Sequence, residues 1–199
     1  MNKTKPESVA NCLLGGGVIL IPTDTVYGLA VTPDDEDAVS QLFQLKTRPQ
    51  NVNLPIMVGS KQHLEALNVK LESAALKLLN SDYIPGALTL ILGFNNDDRL
   101  PWLEGREEIA VRIPNDEYLL QVIETAGALL VTSANKHGNP TATVVKEILA
   151  DLNGEPDLVI DGGEVEVIPS TIINCRVTPP KIEREGKIPA ADLLAFLEK

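Results

Sequence analysis

A scattered set of positively charged and hydrogen-bonding side chains stands near the ends of predicted strands. The set comprises Lys46, Arg48, Arg112, Ser133, Asn135, Thr141, Ser170 and Arg184. Fixed cations and neutral donors, drawn from separate strand ends, suit the binding of a polyphosphate and the stabilisation of charge that moves onto it. The set therefore indicates nucleotidyl or phosphoryl transfer, although each residue alone also has an ordinary structural explanation as a turn, cap or ion-pair residue.

The sequence excludes several other kinds of site. It contains no Gly-x-x-x-x-Gly-Lys-Ser/Thr phosphate loop, no Gly-x-Gly-x-x-Gly after a strand and no Gly-x-Ser-x-Gly elbow. Two histidines, His63 and His137, do not supply a metal cage or a catalytic triad. Cys12 and Cys175 have neither metal spacing nor a disulfide framework, which suits a reducing cytosol. Any nucleotide must therefore be held in another way.

The first predicted strand leads directly into a polar segment. Residues 18–21 are entirely apolar and end at Pro22, which predicts a strand buried on both faces. Thr23, Asp24, Thr25 and Tyr27 follow, and Gly28 permits the backbone to turn away there. Because open α/β sheets bind ligands at the carboxyl ends of strands, this segment is predicted to lie in a site.

A helix should connect this segment to the first two cations. Thr32 can cap it, with Pro33 at the first helical position and acidic residues in the first turn. The helix must end before Pro49, so Lys46 and Arg48 are predicted to emerge from its last turn, where cations are favourable.

Strand and helix patterns alternate along the rest of the chain. Further strands are predicted at residues 54–58, 87–92, 109–113, 128–131, 158–160, 171–175 and 181–185. Further helices are predicted at residues 6–14, 60–67, 71–80, 115–126, 143–152 and 189–197, with caps at Ser60, Asn115 and Thr143. The pattern favours an α/β fold with a twisted mixed sheet flanked by helices, in one domain spanning residues 1–199.

The composition limits the partners of the chain. With 199 residues, it can bury a sizeable core without disulfides. The net charge of −11 opposes a general affinity for nucleic acid or an anionic membrane, because the long-range field repels phosphate. No apolar run approaches the roughly 18 residues of a membrane span, and no secretory signal is evident. A soluble cytoplasmic protein with a local phosphate site is therefore predicted.

Seven motifs, in order, resemble those of the YrdC/Sua5 family. They are Pro22-Thr23-Asp24-Thr25-Val26-Tyr27-Gly28-Leu29, Lys46-Thr47-Arg48-Pro49, Pro85-Gly86-Ala87-Leu88-Thr89, Val111-Arg112-Ile113-Pro114, Ser133-Ala134-Asn135, Pro169-Ser170-Thr171-Ile172 and Arg184-Glu185-Gly186-Lys187-Ile188. Each motif alone is weak, but seven in order over about 170 residues make a strong signal. The resemblance implies the YrdC-like fold, an open twisted α/β sheet with a large concave cavity. Because it ends at Lys199, the chain resembles the short YrdC type.

The resemblance also implies L-threonylcarbamoyladenylate synthase activity, in which L-threonine, bicarbonate and ATP give threonylcarbamoyl-AMP and pyrophosphate. In that family, the product feeds the t6A modification at position 37 of tRNA, and separate proteins transfer the group. Mg²⁺ bound to ATP is the implied cofactor. The acidic charge of the chain argues against direct tRNA binding.

The resemblance implies a role for each site residue. Lys46 and Arg48 are the implied catalytic cations, and Arg48 is also expected at ATP. The other implied ATP contacts are Ser133, Asn135, Thr141 and Arg184. The implied L-threonine contacts are Thr25, Ser170 and Arg112, with Arg112 facing the carboxylate. These roles predict that Arg48→Ala and Lys46→Ala each abolish product formation without unfolding the chain.

Three residues depart from the usual family pattern. Val52 replaces a polar residue expected near ATP, and Met57 occupies a position that can lie near threonine. His137 is either a substituted loop residue or a replacement phosphate contact. Val52 and Met57 favour one alternative, a related carbamoyl-adenylate enzyme with a different acceptor. A second alternative is a non-catalytic RNA-binding protein of the same fold, which the acidic charge disfavours.

Overall fold

The computed structural model describes residues 4–49, 53–95 and 100–198. Its strands are β1 (Ile19–Ile21), β2 (Gly28–Val31), β3 (Ile56–Met57), β4 (Val69–Lys70), β5 (Leu88–Phe94), β6 (Ile109–Arg112), β7 (Leu129–Ser133), β8 (Leu158–Val159), β9 (Thr171–Asn174) and β10 (Lys181–Arg184). Its helices are α1 (Pro6–Leu14), α2 (Glu36–Leu45), α3 (Gln62–Ala66), α4 (Ser73–Leu79), α5 (Glu117–Ala126), α6 (Val145–Asp151) and α7 (Ala190–Glu198). A 3₁₀ helix spans Pro101–Leu103.

The strands form a mixed sheet in the order β10-β9-β5-β6-β3-β7-β2-β1-β8, and β4 pairs with β5 off this path. The pairs β1–β8, β3–β6 and β5–β9 are parallel. The remaining pairs, including β1–β2 and β2–β7, are antiparallel. The predicted α/β class and mixed sheet are therefore confirmed.

Strand β2 was not predicted from the sequence. Gly28 does not turn the chain away from the sheet; it begins β2, directly opposite Ile21 of β1. A Cβ atom at this position would lie 2.7 Å from Cγ1 of Val131, so the close packing of β2 on β7 requires glycine. Residues 22–27 are consequently a short loop between two neighbouring strands, which holds its polar side chains at one end of the sheet.

The predicted helix caps are wrong. Helix α2 is capped by Asp35, whose carboxylate accepts a hydrogen bond from the Ala38 amide at 2.9 Å, and not by Thr32. Helix α5 is likewise capped by Asp116 in place of Asn115. The N-cap positions of α3 and α6 are Lys61 and Val144, without a side-chain cap, so Ser60 and Thr143 do not cap these helices. Neighbouring polar residues share the same capping preference, and tertiary packing selects among them.

Hydrophobic side chains cover both faces of the sheet. Ile19 and Ile21 of β1 pack in one cluster with α1 and α5, while Leu20 packs in the larger cluster on the opposite face. This arrangement confirms that β1 is buried on both faces. Leu14, the last residue of α1, is 59% exposed. No helix in residues 4–49, 53–95 and 100–198 is long and apolar enough to cross a membrane.

Candidate active site

A cavity of about 360 Å³ opens where the loop after β1 meets β5, β6, β7 and β9. Six of the nine predicted site residues line it, namely Thr25, Arg48, Arg112, Ser133, Ser170 and Arg184. The other three, Lys46, Asn135 and Thr141, are not among the described residues that line the cavity. Three guanidinium groups therefore share one cavity with several hydroxyl groups, a set of donors that is suited to an anion.

Arg112 is held rigidly at the end of β6. Its Nε donates to the Gly86 carbonyl at 3.0 Å, one Nη donates to Thr25 Oγ1 at 2.8 Å, and the other donates to Asp24 Oδ1 at 2.7 Å. The residue is only 5% exposed. Burial lowers the pKa of the guanidinium, and the Asp24 carboxylate opposes that shift. Three of its five N–H groups are thus engaged within the protein, which leaves one on each terminal nitrogen for a ligand.

The loop after β1 presents Thr25 to Arg112 through a local hydrogen-bond network. Thr23 Oγ1 lies 3.1 Å from Thr25 Oγ1 and donates to the Val26 carbonyl at 2.7 Å. The same oxygen accepts hydrogen bonds from the backbone amides of Thr25 and Val26. This hydroxyl turn fixes the orientation of Thr25 within the cavity wall.

Ser170 and Arg184 form the opposite wall. Ser170 Oγ lies 2.8 Å from Thr89 Oγ1, and Arg184 donates to the Ser170 carbonyl through both Nε and Nη2, at 3.1 and 2.8 Å. Burial lowers the pKa of Arg184, and the positive charge of Arg112 lowers it further. Both guanidinium groups line the same cavity.

Lys46 is buried behind the cavity instead of pointing into it. Its ammonium donates to the carbonyls of Ser133 and Asn135, and the second of these hydrogen bonds is 2.6 Å long. The side chain is 1% exposed. The sequence predicted a cation emerging toward the nucleotide, but Lys46 instead connects the end of α2 to the turn after β7.

The chain reverses between Lys46 and Arg48 in a helix C-terminal motif. Thr47 adopts a left-handed conformation with φ of 49°, its amide donates to the Gln44 carbonyl, and the Arg48 amide donates to the Phe43 carbonyl. This is the Schellman pattern with threonine at the position usually held by glycine. It directs Lys46 into the protein and Arg48 toward the cavity.

The guanidinium of Arg48 still has N–H groups that can donate hydrogen bonds toward the cavity. One Nη donates to the Asn53 carbonyl at 3.2 Å, and its Nε is buried without a hydrogen-bond partner among the described residues. Burial lowers the pKa of this guanidinium. A buried N–H without a partner is costly, so this atom is suited to bind a ligand.

Asn135 and Thr141 lie outside the cavity wall. The amide nitrogen of Asn135 donates to the carbonyls of Lys136 and Asn139, at 2.7 and 2.8 Å. Its Oδ1 atom is buried without a partner among residues 4–49, 53–95 and 100–198. Thr141 is half-buried in the connection before α6. Asn135 thus shapes the turn after β7.

The residues that depart from the family pattern have different surroundings. Met57 is buried and lines the cavity opposite Arg112 in the β3–β6 register. The His137 side chain is exposed, and its amide donates to the Lys46 carbonyl at 2.8 Å, which agrees with a substituted loop residue. Val52 lies outside the described residues.

Two residues that support this site were not singled out by the sequence. Asp24 is the counter-ion of Arg112, and Thr89 lies within hydrogen-bonding distance of Ser170. Thr89 did carry a signal, because it is a polar residue within an otherwise apolar strand run. Asp24 was noted only as one of several polar residues after β1, since its pairing with Arg112 spans 88 residues.

The burial of Lys46 predicts a pH-dependent contribution to stability. Burial and the nearby charge of Arg48 lower its pKa from 10.5 to about 8, with Asp151 opposing the shift. Below pH 8 both the folded and unfolded chains carry this proton, so folding includes the full penalty for burying the charge. Between pH 8 and 10.5 the folded chain releases the proton first, and this contribution to the free energy of unfolding should rise by about 3 kcal/mol.

Denaturant unfolding of the wild type and Lys46→Met at about pH 7 and about pH 10 measures this effect. The stability of the wild type relative to the variant should increase with pH, because other titrating groups are common to both proteins. A constant relative stability would show that the buried ammonium has its ordinary pKa, and a decrease would show that its pKa is raised.

Comparison with known proteins identifies similar sequences over most of the chain. The Sua5/YciO/YrdC family model, described as telomere recombination, matches residues 11–186. Threonylcarbamoyl-AMP synthase of Pyrococcus abyssi is 33% identical over 191 residues, which cover 95% of this chain and 56% of that protein. Threonylcarbamoyl-AMP synthase of Bacillus subtilis is 32% identical over 199 residues, which cover 98% of this chain and 57% of that protein. The chain thus spans about half the length of these curated relatives.

The fold comparison agrees with the sequence comparison. The crystal structure of P. abyssi Sua5 complexed with L-threonine matches with a TM-score of 0.85 and 31% sequence identity. The match covers 96% of this chain and 56% of that chain. The predicted YrdC-like fold is therefore confirmed.

Proposed function

Because the chain belongs to the Sua5/YciO/YrdC family, we propose that it is an L-threonylcarbamoyladenylate synthase. As a nucleotidyltransferase, it converts L-threonine, bicarbonate and ATP to threonylcarbamoyl-AMP and pyrophosphate. The product supplies the t6A modification at position 37 of tRNA through separate transfer proteins. Residues 1–199 act as one YrdC-like domain in the cytoplasm.

The strongest support is the convergence of Arg48, Arg112 and Arg184 in one cavity of a protein whose net charge is −11. Guanidinium groups bind carboxylates and phosphates through paired hydrogen bonds. The substrates of this reaction carry both kinds of group. The proposed reaction needs positioning and charge neutralisation and forms no covalent bond to the enzyme.

L-Threonine is assigned to the side of the cavity formed by Arg112, Thr25 and Ser170. Arg112 has one unused N–H on each terminal nitrogen, and these suit the two oxygens of the amino-acid carboxylate. The hydroxyls of Thr25 and Ser170 can bond the amine and hydroxyl of the substrate. That P. abyssi Sua5 has been crystallised in complex with L-threonine supports the choice of this amino acid as the ligand.

ATP is assigned to the side formed by Arg48, Ser133 and Arg184, with Asn135 and Thr141 near its outer part. The buried Nε of Arg48 supplies a donor for a phosphate oxygen. Lys46 is assigned a positioning role in place of direct contact, because its ammonium is engaged by the carbonyls of Ser133 and Asn135.

The reaction joins two anions. The threonine amine combines with bicarbonate to give a carbamate and water, and a carbamate oxygen then forms a bond to the α-phosphorus. The bond from that phosphorus to pyrophosphate breaks in line with the attack. Arg48 and Arg184 offset the repulsion between carbamate and triphosphate, and fixed hydrogen bonds hold the reacting atoms in place.

Mg²⁺ is assigned to the ATP phosphates. Among the residues that the structure describes, no group of three or more His, Cys, Asp or Glu side chains could hold a metal ion. Glu108 lines the cavity, but its carboxylate is paired with Arg176. The described residues therefore offer no cage of their own, and the ion would be bound mainly by phosphate oxygens and water, where it would neutralise their charge.

Incubation of the purified protein with ATP, bicarbonate, Mg²⁺ and each amino acid in turn tests this function. Formation of an acyl-AMP product and pyrophosphate is expected only with L-threonine, and it should require bicarbonate. Product formation with another acceptor would favour a related carbamoyl-adenylate enzyme. No product with any acceptor, together with salt-sensitive RNA binding, would favour the RNA-binding alternative.

A further inference from the structure

Residues 160–170, here termed the strap, connect opposite ends of the sheet. In the strand order, β1, β2, β7, β3, β6 and β5 lie between β8 and β9. The strap contains no helix or strand, and twelve residue steps separate Val159 from Thr171. A displacement near β8 can therefore be transmitted along this backbone to Ser170 at the cavity.

Few contacts hold the strap along its length. Seven of its residues are exposed, namely Asp161, Gly162, Gly163, Glu164, Glu166, Val167 and Ile168. In its middle, the Val165 amide donates to the Thr143 carbonyl at 3.1 Å, and the Val165 side chain packs against the core. The Thr143 hydroxyl donates to Glu164 at 3.4 Å, and Glu166 pairs with the exposed Lys187. Because these attachments are sparse, any buried attachment should have a large influence on the position of the strap.

Tyr27 provides such a buried attachment. Its phenolic oxygen accepts a hydrogen bond from the Gly162 amide at 2.9 Å and donates to the Gly163 carbonyl at 2.7 Å. The side chain is fully buried, and burial is the main cause that raises the pKa of the phenol, which keeps it protonated. The phenol thus joins the loop after β1 to the beginning of the strap.

Both segments joined by Tyr27 lead to the amino-acid side of the cavity. Tyr27 follows Thr25 by two residues, and the strap ends at Pro169 and Ser170, which line the cavity. Tyr27 itself is not among the described lining residues, so it can influence a ligand only through these neighbours.

We propose that Tyr27 is a positioning residue for L-threonine, which acts by holding the strap so that Ser170 and Thr25 keep their spacing across the cavity. This inference rests on the proposed function for the identity of the ligand. It does not depend on that function for the attachment of the strap.

Tyr27→Phe tests the inference because it removes only the phenolic oxygen. The KM for L-threonine should rise about fivefold to tenfold, as expected for the loss of neutral hydrogen bonds that position a binding group, and the KM for ATP should change less than about twofold. Amide hydrogen exchange across residues 160–170 should become at least about fivefold faster. Tyr118→Phe is the matched control, since its phenol donates to the exposed Thr4 carbonyl at 2.7 Å and should change none of these values.

A second variant displaces the strap without altering Tyr27. A Cβ atom at residue 162 would lie 2.8 Å from Cγ of Pro22, so Gly162→Ala should push the strap outward and raise the KM for L-threonine in the same way. Agreement between Gly162→Ala and Tyr27→Phe would support action through the strap.

Two results would overturn the inference. Wild-type exchange of the strap amides in Tyr27→Phe would show that the phenol does not hold the strap, and equal increases in the KM of both substrates would show that its effect is not directed to the amino acid. If the wild type forms no product with L-threonine, the proposed function fails, and the exchange measurement still decides whether Tyr27 holds the strap.

Discussion

Arg112→Ala is expected to abolish L-threonine-dependent product formation and to lower the free energy of unfolding by about 3 to 5 kcal/mol. The guanidinium is almost fully buried and is the ion-pair partner of Asp24, whose side chain is only 13% exposed. Its removal leaves the Asp24 carboxylate buried without a partner cation. The same change removes the proposed partner of the substrate carboxylate. Both the affinity for L-threonine and the stability of the fold should therefore decrease.

Two further variants separate these effects. Arg112→Lys keeps the positive charge but cannot form paired hydrogen bonds, so the KM for L-threonine should rise about 100-fold while the KM for ATP stays within about threefold. The double variant Arg112→Ala/Asp24→Asn should be more stable than Arg112→Ala, because no unpaired carboxylate remains. Denaturant unfolding measures the difference in stability between the double variant and Arg112→Ala. Normal L-threonine kinetics in Arg112→Lys would show that the carboxylate binds elsewhere.

Lys46→Ala and Arg48→Ala should lose activity to a similar degree but differ in stability. Lys46→Ala leaves the carbonyls of Ser133 and Asn135 without their ammonium donor and opens a void, which should lower the free energy of unfolding by about 2 to 4 kcal/mol. Arg48 is only half-buried and makes one hydrogen bond among the described residues. The free energy of unfolding of Arg48→Ala should therefore lie within about 0.5 kcal/mol of the wild-type value. Both variants are still expected to fold, as predicted from the sequence, but Lys46→Ala should be the less stable of the two.

Product formation should fall at least about 100-fold in both variants. In Arg48→Ala the loss reflects the missing donor to phosphate, and in Lys46→Ala it reflects a displaced turn at Ser133 and Asn135. Lys70→Ala, which removes a 58% exposed cation paired with Glu72, is the control and should retain activity and stability. Turnover and unfolding measured on the same preparations check these expectations. A fully active Arg48→Ala variant would exclude the proposed phosphate contact.

The cavity is positively charged within an acidic protein, and this contrast has a structural basis. Arg112 and Arg184 are held by carbonyl groups of Gly86 and Ser170 in addition to Asp24, so their charges are only partly neutralised. Most carboxylates of the chain lie on the surface, where solvent and salt screen them. The net charge of −11 therefore disfavours long nucleic acids without preventing a small anion from binding in the cavity.

Much of the fold could be predicted from the sequence because individual helices and strands depend on short-range patterns. The strand predicted from the apolar run at residues 18–21, the helix at residues 6–14 and the strands at residues 171–175 and 181–185 all have counterparts in the structure. The missed strand β2 illustrates the limit of such patterns. Gly28 has the features of a turn residue, and only its close packing against Val131 explains why glycine begins a strand there.

The sequence by itself also determined what kind of site the protein could form. Cations and hydroxyls at the ends of predicted strands predict an anion site wherever those ends meet. Six of the nine predicted residues do line one cavity. These residues could be chosen as candidates for the site without knowledge of the fold. Their motif order alone was sufficient to indicate the family.

Only the tertiary structure decided what each side chain faces. Lys46 and Arg48 are two residues apart, yet one is buried behind the turn after β7 and the other reaches the cavity. Likewise, Tyr27 contacts a strap more than 130 residues away. The partners of these side chains come from distant parts of the chain, so their orientation depends on packing that no local pattern encodes.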